Sequence, residues 1–106
     1  MGMGTVRVLK LSDAGFLRRL REITRDSYQV VLTKHAKQRM KQRRISFPQV
    51  LECLRNGRIV EPAYTTIQGD WKATLEHSYA GDMVQVVVAI ETQENGEFAV
   101  VITVMA

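Results

Sequence analysis

One short segment, TKHAKQRMKQRRIS, carries the side chains best suited to chemistry, and it runs from Thr33 to Ser46. It contains one histidine, six Lys or Arg residues and no acidic residue. If the segment is helical, His35, Arg39 and Arg43 fall on one stripe, one turn apart. The stripe borders the apolar side of the helix, so we expect a partly desolvated histidine beside two guanidinium groups.

This stripe has the groups that cleavage of RNA requires. His35 could transfer a proton as base or acid. Arg39 and Arg43 could hold a phosphate and stabilise the charge that grows on it during phosphoryl transfer. These three are the predicted catalytic residues. The alternative is a structural histidine at the edge of the core, with the arginines paired to acids of the second half such as Glu76 or Glu91.

A second set of basic side chains on the segment faces away from the stripe and is predicted to contact nucleic acid. Three lysines lie on the opposite side of the predicted helix. The predicted contacts also include two other cations. Arg44 lies at the end of the helix, and Lys72 is the single Lys or Arg after residue 60. The predicted nucleic-acid contacts are Lys34, Lys37, Lys41, Arg44 and Lys72. The alternative is an ordinary solvated face.

The charge of the chain is divided unevenly between its halves. The 106 residues have a net charge of +4. Residues 1–60 contain 14 Lys or Arg and four acids, whereas residues 61–106 contain Lys72 and seven acids. A basic half attracts a polyanion such as RNA. The alternative is that the two halves pack together and partly neutralise each other.

The composition argues against several kinds of site and location. Two histidines and one cysteine, widely spaced, form no zinc pattern. There is no glycine-rich phosphate loop, so we expect no metal and no cofactor. No apolar run reaches the roughly 18 residues that span a membrane, and the first residues lack the apolar core of a signal peptide. The single Cys53 cannot form an internal disulfide, so a cytoplasmic location is expected.

The elements that position these residues are predicted to be helices first and strands afterwards. Hydrophobic periodicity and capping residues predict three helices, over about residues 13–24, 34–44 and 46–56. Gly57 is placed to end the third helix in a left-handed conformation. A short strand is expected at 28–32, and alternation after Gly57 ends in two segments that are apolar on both faces and should lie centrally. We predict one α+β domain over 1–106, with helices packed on a C-terminal antiparallel meander of three to four strands.

The segment TKHAKQRMKQRRISFPQVLECLRNGRIVE, followed by GDWKATLE and a final VVITV, resembles the bacterial domain-of-unknown-function 4258 family. The likeness covers about residues 28–106 and leaves the first helix outside. It lies in a His–Ala–x–x–Arg–Met–x–x–Arg helix, an Ile–Ser step, a helix ending in Asn–Gly and a strand closing on Thr–Val. Arg44 stands where a glycine is common. The resemblance implies the fold of RelE-type and barnase-like ribonucleases, with His35, Arg39 and Arg43 at motif positions.

The sequence is compatible with three functions. The first, which the resemblance implies, is a metal-independent endoribonuclease of the toxin type that acts on RNA. The second is a nucleic-acid binder without catalysis, which would also use Arg18, Arg19 and Arg21 of the first helix. The third is a protein-interaction module whose basic helices meet a small acidic antitoxin-like protein. Kinship of fold does not by itself transfer activity, and the sequence predicts no oligomeric state.

Overall fold

Three helices and a short strand precede the main strands of the chain. The computed structural model describes residues 12–66, 69–79 and 81–105. The helices are α1 (Asp13–Ile23), α2 (Lys34–Arg43) and α3 (Phe47–Asn56). The strands are β1 (Val30–Leu32), β2 (Arg58–Thr65), β3 (Trp71–Tyr79), β4 (Asp82–Gln93) and β5 (Gly96–Met105). The first eleven residues, on which the signal-peptide prediction rests, lie outside the described part.

The five strands form one mixed sheet in the order β1-β5-β4-β3-β2. β1 runs parallel to β5, with Val30 opposite Ala99, and the other neighbours are antiparallel. The α+β class with helices first is therefore confirmed, and the C-terminal strands β2–β5 are antiparallel neighbours in chain order, but the sheet as a whole is mixed and has five strands instead of the predicted three to four antiparallel ones. The difference comes from β1, whose partner strand β5 lies about 70 positions further along the chain. Local periodicity cannot reveal a partner at that distance.

The helices share one hydrophobic core with one face of the sheet. Its fully buried members include Phe16, Leu20, Ala36, Val50, Leu54, Leu75, Val86 and Val101. β4 and β5 lie inside the sheet, as predicted from their two apolar faces. Along β3, Ala73 and Leu75 face this core, so the alternate residues Lys72 and Thr74 lie on the opposite face. None of the described helices is long and apolar enough to cross a bilayer.

Side chains cap the start of every helix. Ser12, Thr33 and Ser46 each accept a hydrogen bond from a backbone N–H of the first turn, and the predicted capping box between Ser46 and Gln49 is present. Such caps satisfy donors that the helix leaves unpaired and contribute about 1 kcal/mol each. Thr33 Oγ1 also donates to the carbonyl oxygen of Ile102 at 3.0 Å. The start of α2 is therefore attached to β5.

The turn that ends α3 departs from the prediction, and the turn that ends α2 has a left-handed residue. Arg44 takes the left-handed conformation (φ 56°, ψ 44°) directly after α2. Gly57, after α3, is instead extended at φ −73°, so the predicted left-handed cap there is wrong. A Cβ at Gly57 would lie 2.5 Å from the carbonyl oxygen of Cys53 and 2.8 Å from that of Glu76. Glycine is needed there because the chain passes tightly between α3 and β3.

Candidate nucleic-acid interface

α2 presents most of its side chains to solvent. Ala36 and Met40 are its buried residues. His35 and Arg43 are exposed, whereas Arg39 is half-buried. The predicted partial burial of the stripe is therefore wrong for His35 and Arg43 and right for Arg39. Because α2 has only two apolar residues, its contact with the core is narrow. Of the three stripe residues, only Arg39, the neighbour of Met40, lies at the edge of this contact.

The cations of α2 and the turn after it have no acidic partner among the described residues. They are Lys34, Lys37, Arg39, Lys41, Arg43 and Arg44. The ion pairs of the described chain are Arg19 with Glu97 and Arg58 with Glu76, and His77 Nε2 lies 3.7 Å from Glu52 Oε2. Glu76, one suggested partner of the stripe, is thus paired with Arg58 at 3.1 Å. The two halves of the chain neutralise each other at two such pairs, but not at α2.

Arg39 is the most buried member of the stripe. Its Nε is buried and has no hydrogen-bond partner in the part of the chain that the structure describes. A buried donor left unpaired costs about 1–3 kcal/mol. Unsatisfied groups of this kind are uncommon and often mark a place where an ion or another ligand belongs.

A cleft of about 420 Å³ opens where α2 ends and α3 and β4 begin. We call it the arginine cleft; its wall is formed by Arg43, Arg44, Ile45, Gln49, Asp82, Met83 and Val84. Two predicted residues, Arg43 and Arg44, therefore meet at one concave site. His35 lies eight residues earlier, about 12 Å away along the helix axis. No motif indicated Asp82 and Met83, which the β3–β4 hairpin brings to the cleft.

A second cleft, of about 250 Å³, lies at the other end of α3 and is called the His77 cleft. Its wall is formed by Asn56, Arg58, Glu76, His77, Ser78 and Met83. His77 Nε2 lies 3.7 Å from Glu52 Oε2, and that oxygen also accepts a hydrogen bond from Asn56. His77 therefore lies at a cleft, beside a carboxylate. The two clefts share Met83.

Lys72 lies apart from the other predicted contacts. It stands opposite Tyr64 on β2 and Ala89 on β4, and its neighbour Ala73 belongs to the core beneath the helices. The sheet therefore separates Lys72 from α2. A single phosphate bound at α2 cannot also be held by Lys72.

Two groups near the clefts have displaced pKa values. Burial, and to a lesser extent the charge of Glu76, raises the pKa of the Cys53 thiol to about 12. The thiol is therefore protonated at pH 7 and is not a nucleophile. Hydrogen bonds from Gln85 and Arg58 lower the pKa of the Glu76 carboxyl, which keeps it ionised. No three His, Cys, Asp or Glu side chains within residues 12–66, 69–79 and 81–105 are placed to hold a metal ion.

The profile of one protein family covers most of the described elements. The family described as Domain of unknown function (DUF4258) matches residues 32–106, from the end of β1 onward. This chain belongs to the DUF4258 family. α1 precedes the matched region, as the resemblance predicted. Searches of curated proteins and of solved structures gave no match. Membership of DUF4258 thus places α2 and both clefts within the family domain without assigning them an activity.

Proposed function

We propose that this DUF4258 protein acts on RNA as a metal-independent endoribonuclease of the toxin type, with α2 as the element that holds the phosphate backbone. One observation carries the proposal: the basic side chains of α2 lie largely exposed and without acidic partners among the described residues. Phosphates would replace the counterions of these side chains. The order of helices and strands agrees with a relationship to RelE-type and barnase-like ribonucleases, which forms part of this proposal.

In this proposal His35 moves a proton, while Arg39 and Arg43 bind the phosphate. The 2′-oxygen of the ribose forms a bond to phosphorus and the bond from phosphorus to the 5′-oxygen breaks. His35 takes the proton of the 2′-hydroxyl, and the leaving 5′-oxygen takes a proton from solvent. Arg39 and Arg43 stabilise the extra negative charge on the phosphorus oxygens. The exposure of His35 is compatible with this role, because a polymer must reach it.

A cleavage assay with the purified protein and a labelled RNA, with and without chelator, tests this function. Replacement His35→Gln should lower the cleavage rate about 100-fold or more, the usual contribution of a proton-transfer group. Gln42→Ala, another exposed change on α2, is the matched control and should leave the rate within about twofold. Equal rates for the parent and His35→Gln would refute the assigned mechanism, and loss of cleavage in chelator would refute metal independence.

Binding of RNA without cleavage is the second candidate function. It is favoured by the position of His35, which is exposed and about 12 Å along the helix from the arginine cleft. In this form of the proposal α1 contributes little, because Arg19 pairs with Glu97 and Arg21 donates to the carbonyl oxygen of Gly57. The same assay separates the two candidates, since a binder retains RNA on a filter at low salt and releases no product.

The toxin assignment also implies a protein partner. A small acidic antitoxin-like protein would meet the same unpaired cations of α2 and compete with RNA for them. Addition of such a protein should therefore displace labelled RNA from α2. An acidic partner that binds while RNA stays bound would show that it uses another surface.

A further inference from the structure

We propose that the arginine cleft binds one unstacked nucleotide of single-stranded RNA. This inference rests on the proposed function and specifies the class of RNA. It assigns a role to Asp82 and Met83, which the sequence did not indicate. It also states where along α2 the bound strand meets the cleft, because the cleft lies at one end of the helix.

The wall of the cleft combines the kinds of side chain that a nucleotide requires. Arg43 and Arg44 offer guanidinium groups, which suit the oxygens of a phosphate. Ile45 and Val84 make part of the wall apolar but, at 6% and 1% exposed, offer little accessible surface of their own. Met83, 46% exposed, gives a flexible thioether against which a base can pack.

The polar groups of the cleft suit the edge of a base better than a second phosphate. Asp82 forms no ion pair with Arg43 or Arg44 in the described chain, so its oxygens are free to accept hydrogen bonds from an amino group of a base. Gln49 uses its Oε1 in the capping box, which leaves the N–H groups of its amide. A carboxylate would repel a phosphate placed next to it.

The size and position of the cleft fit one nucleotide of a longer strand. A volume of about 420 Å³ lies in the range of clefts that hold small organic ligands. The cleft adjoins the C-terminal end of α2, so a strand whose phosphates follow the cations of this helix reaches it. The nucleotide at that point can turn its base into the cleft.

An RNA duplex cannot use the cleft in this way. Its phosphates can reach Arg43 and Arg44, but its bases are paired inside the helix and cannot cover Met83 or Val84. Bases of a single strand can turn outward and pack on protein side chains, which is the usual route to recognition of single-stranded RNA. The arginine cleft therefore predicts a preference for single strands that the charge of α2 alone does not give.

Fluorescence anisotropy with a 2′-O-methyl RNA, which cannot be cleaved through its 2′-oxygen, tests the preference. We expect the single strand to bind at least roughly fivefold more tightly than the duplex of the same sequence. Met83→Ala should remove most of this difference, whereas Arg44→Gly should weaken both complexes because the phosphates of either RNA reach Arg44. Arg44→Gly suits the left-handed backbone at that position, and Met83 is exposed, so both variants should fold. Lys37→Gln, on α2 outside the cleft, is the control and should weaken both complexes by the same factor.

A second measurement reports on Met83, and loss of the response in Arg44→Gly places the nucleotide in the arginine cleft rather than in the His77 cleft, which also contains Met83. In protein labelled with ¹³C at the methionine methyl groups, the Met83 signal is identified by its loss in Met83→Leu. A nucleoside monophosphate should shift that signal through the ring current of its base, whereas inorganic phosphate at the same concentration should not. Equal affinity for single strand and duplex, or an unshifted Met83 signal, would overturn the cleft assignment and leave the proposed function standing. Failure to bind either RNA at low salt would overturn both.

Discussion

Arg44 has a backbone conformation that residues with a side chain rarely adopt, and it is the non-glycine residue with a positive φ in the described chain. A hydrogen bond of 2.8 Å from the N–H of Ile45 to the carbonyl oxygen of Met40 closes the turn around it. The left-handed conformation costs about 1 kcal/mol for a residue with a Cβ. The turn forms here despite the absence of the glycine common in DUF4258.

We therefore expect Arg44→Gly to raise the free energy of unfolding by up to about 1 kcal/mol, because the relief of strain outweighs the freedom that glycine gains in the unfolded chain. Urea denaturation measures the change. Lys41→Gly, in the last turn of α2, is the control and should lower the same quantity by about 1 kcal/mol. Two changes of the same sign would contradict the assignment of strain to Arg44.

The lowered pKa of Glu76 makes the free energy of unfolding depend on pH in a way that can be measured. Its pKa is lowered in the folded protein by Gln85 and Arg58, so folding favours the ionised form. The resulting stabilisation is fully present above the pKa of the unfolded chain and is lost as the pH falls through the lower folded pKa. Glu76→Gln should therefore be less stable than the parent at pH 7 and nearly equal to it in acid. A difference in unfolding free energy that does not change between pH 7 and pH 3 would contradict this.

The stripe on α2 shows what residue spacing can and cannot predict. The relative directions of His35, Arg39 and Arg43 follow from the helical repeat, which is local. Their burial depends on how wide a contact α2 makes with the sheet, which is not local. The meeting of Arg43 with Asp82 and Met83 depends on the β3–β4 hairpin, and no motif in the sequence links these segments.

At the scale of elements, Thr33 connects α2 to the sheet. Its Oγ1 accepts a hydrogen bond from the N–H of Ala36 and donates one to the carbonyl oxygen of Ile102, both at 3.0 Å. We expect Thr33→Ala to lower the free energy of unfolding by about 1–2 kcal/mol, because the cap and the link to β5 are lost together. Thr92→Ala, at an exposed position on β4, should change it by less than about 0.5 kcal/mol. Equal effects in thermal or urea denaturation would show that the link contributes nothing.

The three helices and the caps at their starts were predictable because each depends on residues within one or two turns. Ser46 and Gln49 show this, since the capping box is complete within four residues. The sheet was predictable only in part. Apolar residues on both faces predicted that β4 and β5 lie in the interior, but the parallel pairing of β1 depends on contacts with residues 99–101.

At the scale of the whole molecule, the exposed cations of α2 should govern the salt dependence of RNA affinity. For single strands, the logarithm of the binding constant falls by about 0.7 per phosphate contact for each unit in the logarithm of salt concentration. Replacing both Lys37 and Lys41 by Gln should therefore reduce the slope by about 1.4. Arg25→Gln together with Arg18→Gln, which removes the same charge from exposed positions outside α2, is the control. A slope that depends only on net charge would contradict a role for α2.

The pairing of β1 with β5 has a consequence for synthesis. Val30–Leu32 lie beside residues 99–101, and Thr33 donates a hydrogen bond to the carbonyl oxygen of Ile102. While only the first 90 or so residues have been translated, the strand that positions α2 is therefore missing. We expect hydrogen exchange on stalled nascent chains to show α2 unprotected until residue 102 has emerged; early protection would refute this. The surface proposed to bind RNA thus takes its final shape only when most of the chain has left the ribosome, which is itself built largely of RNA.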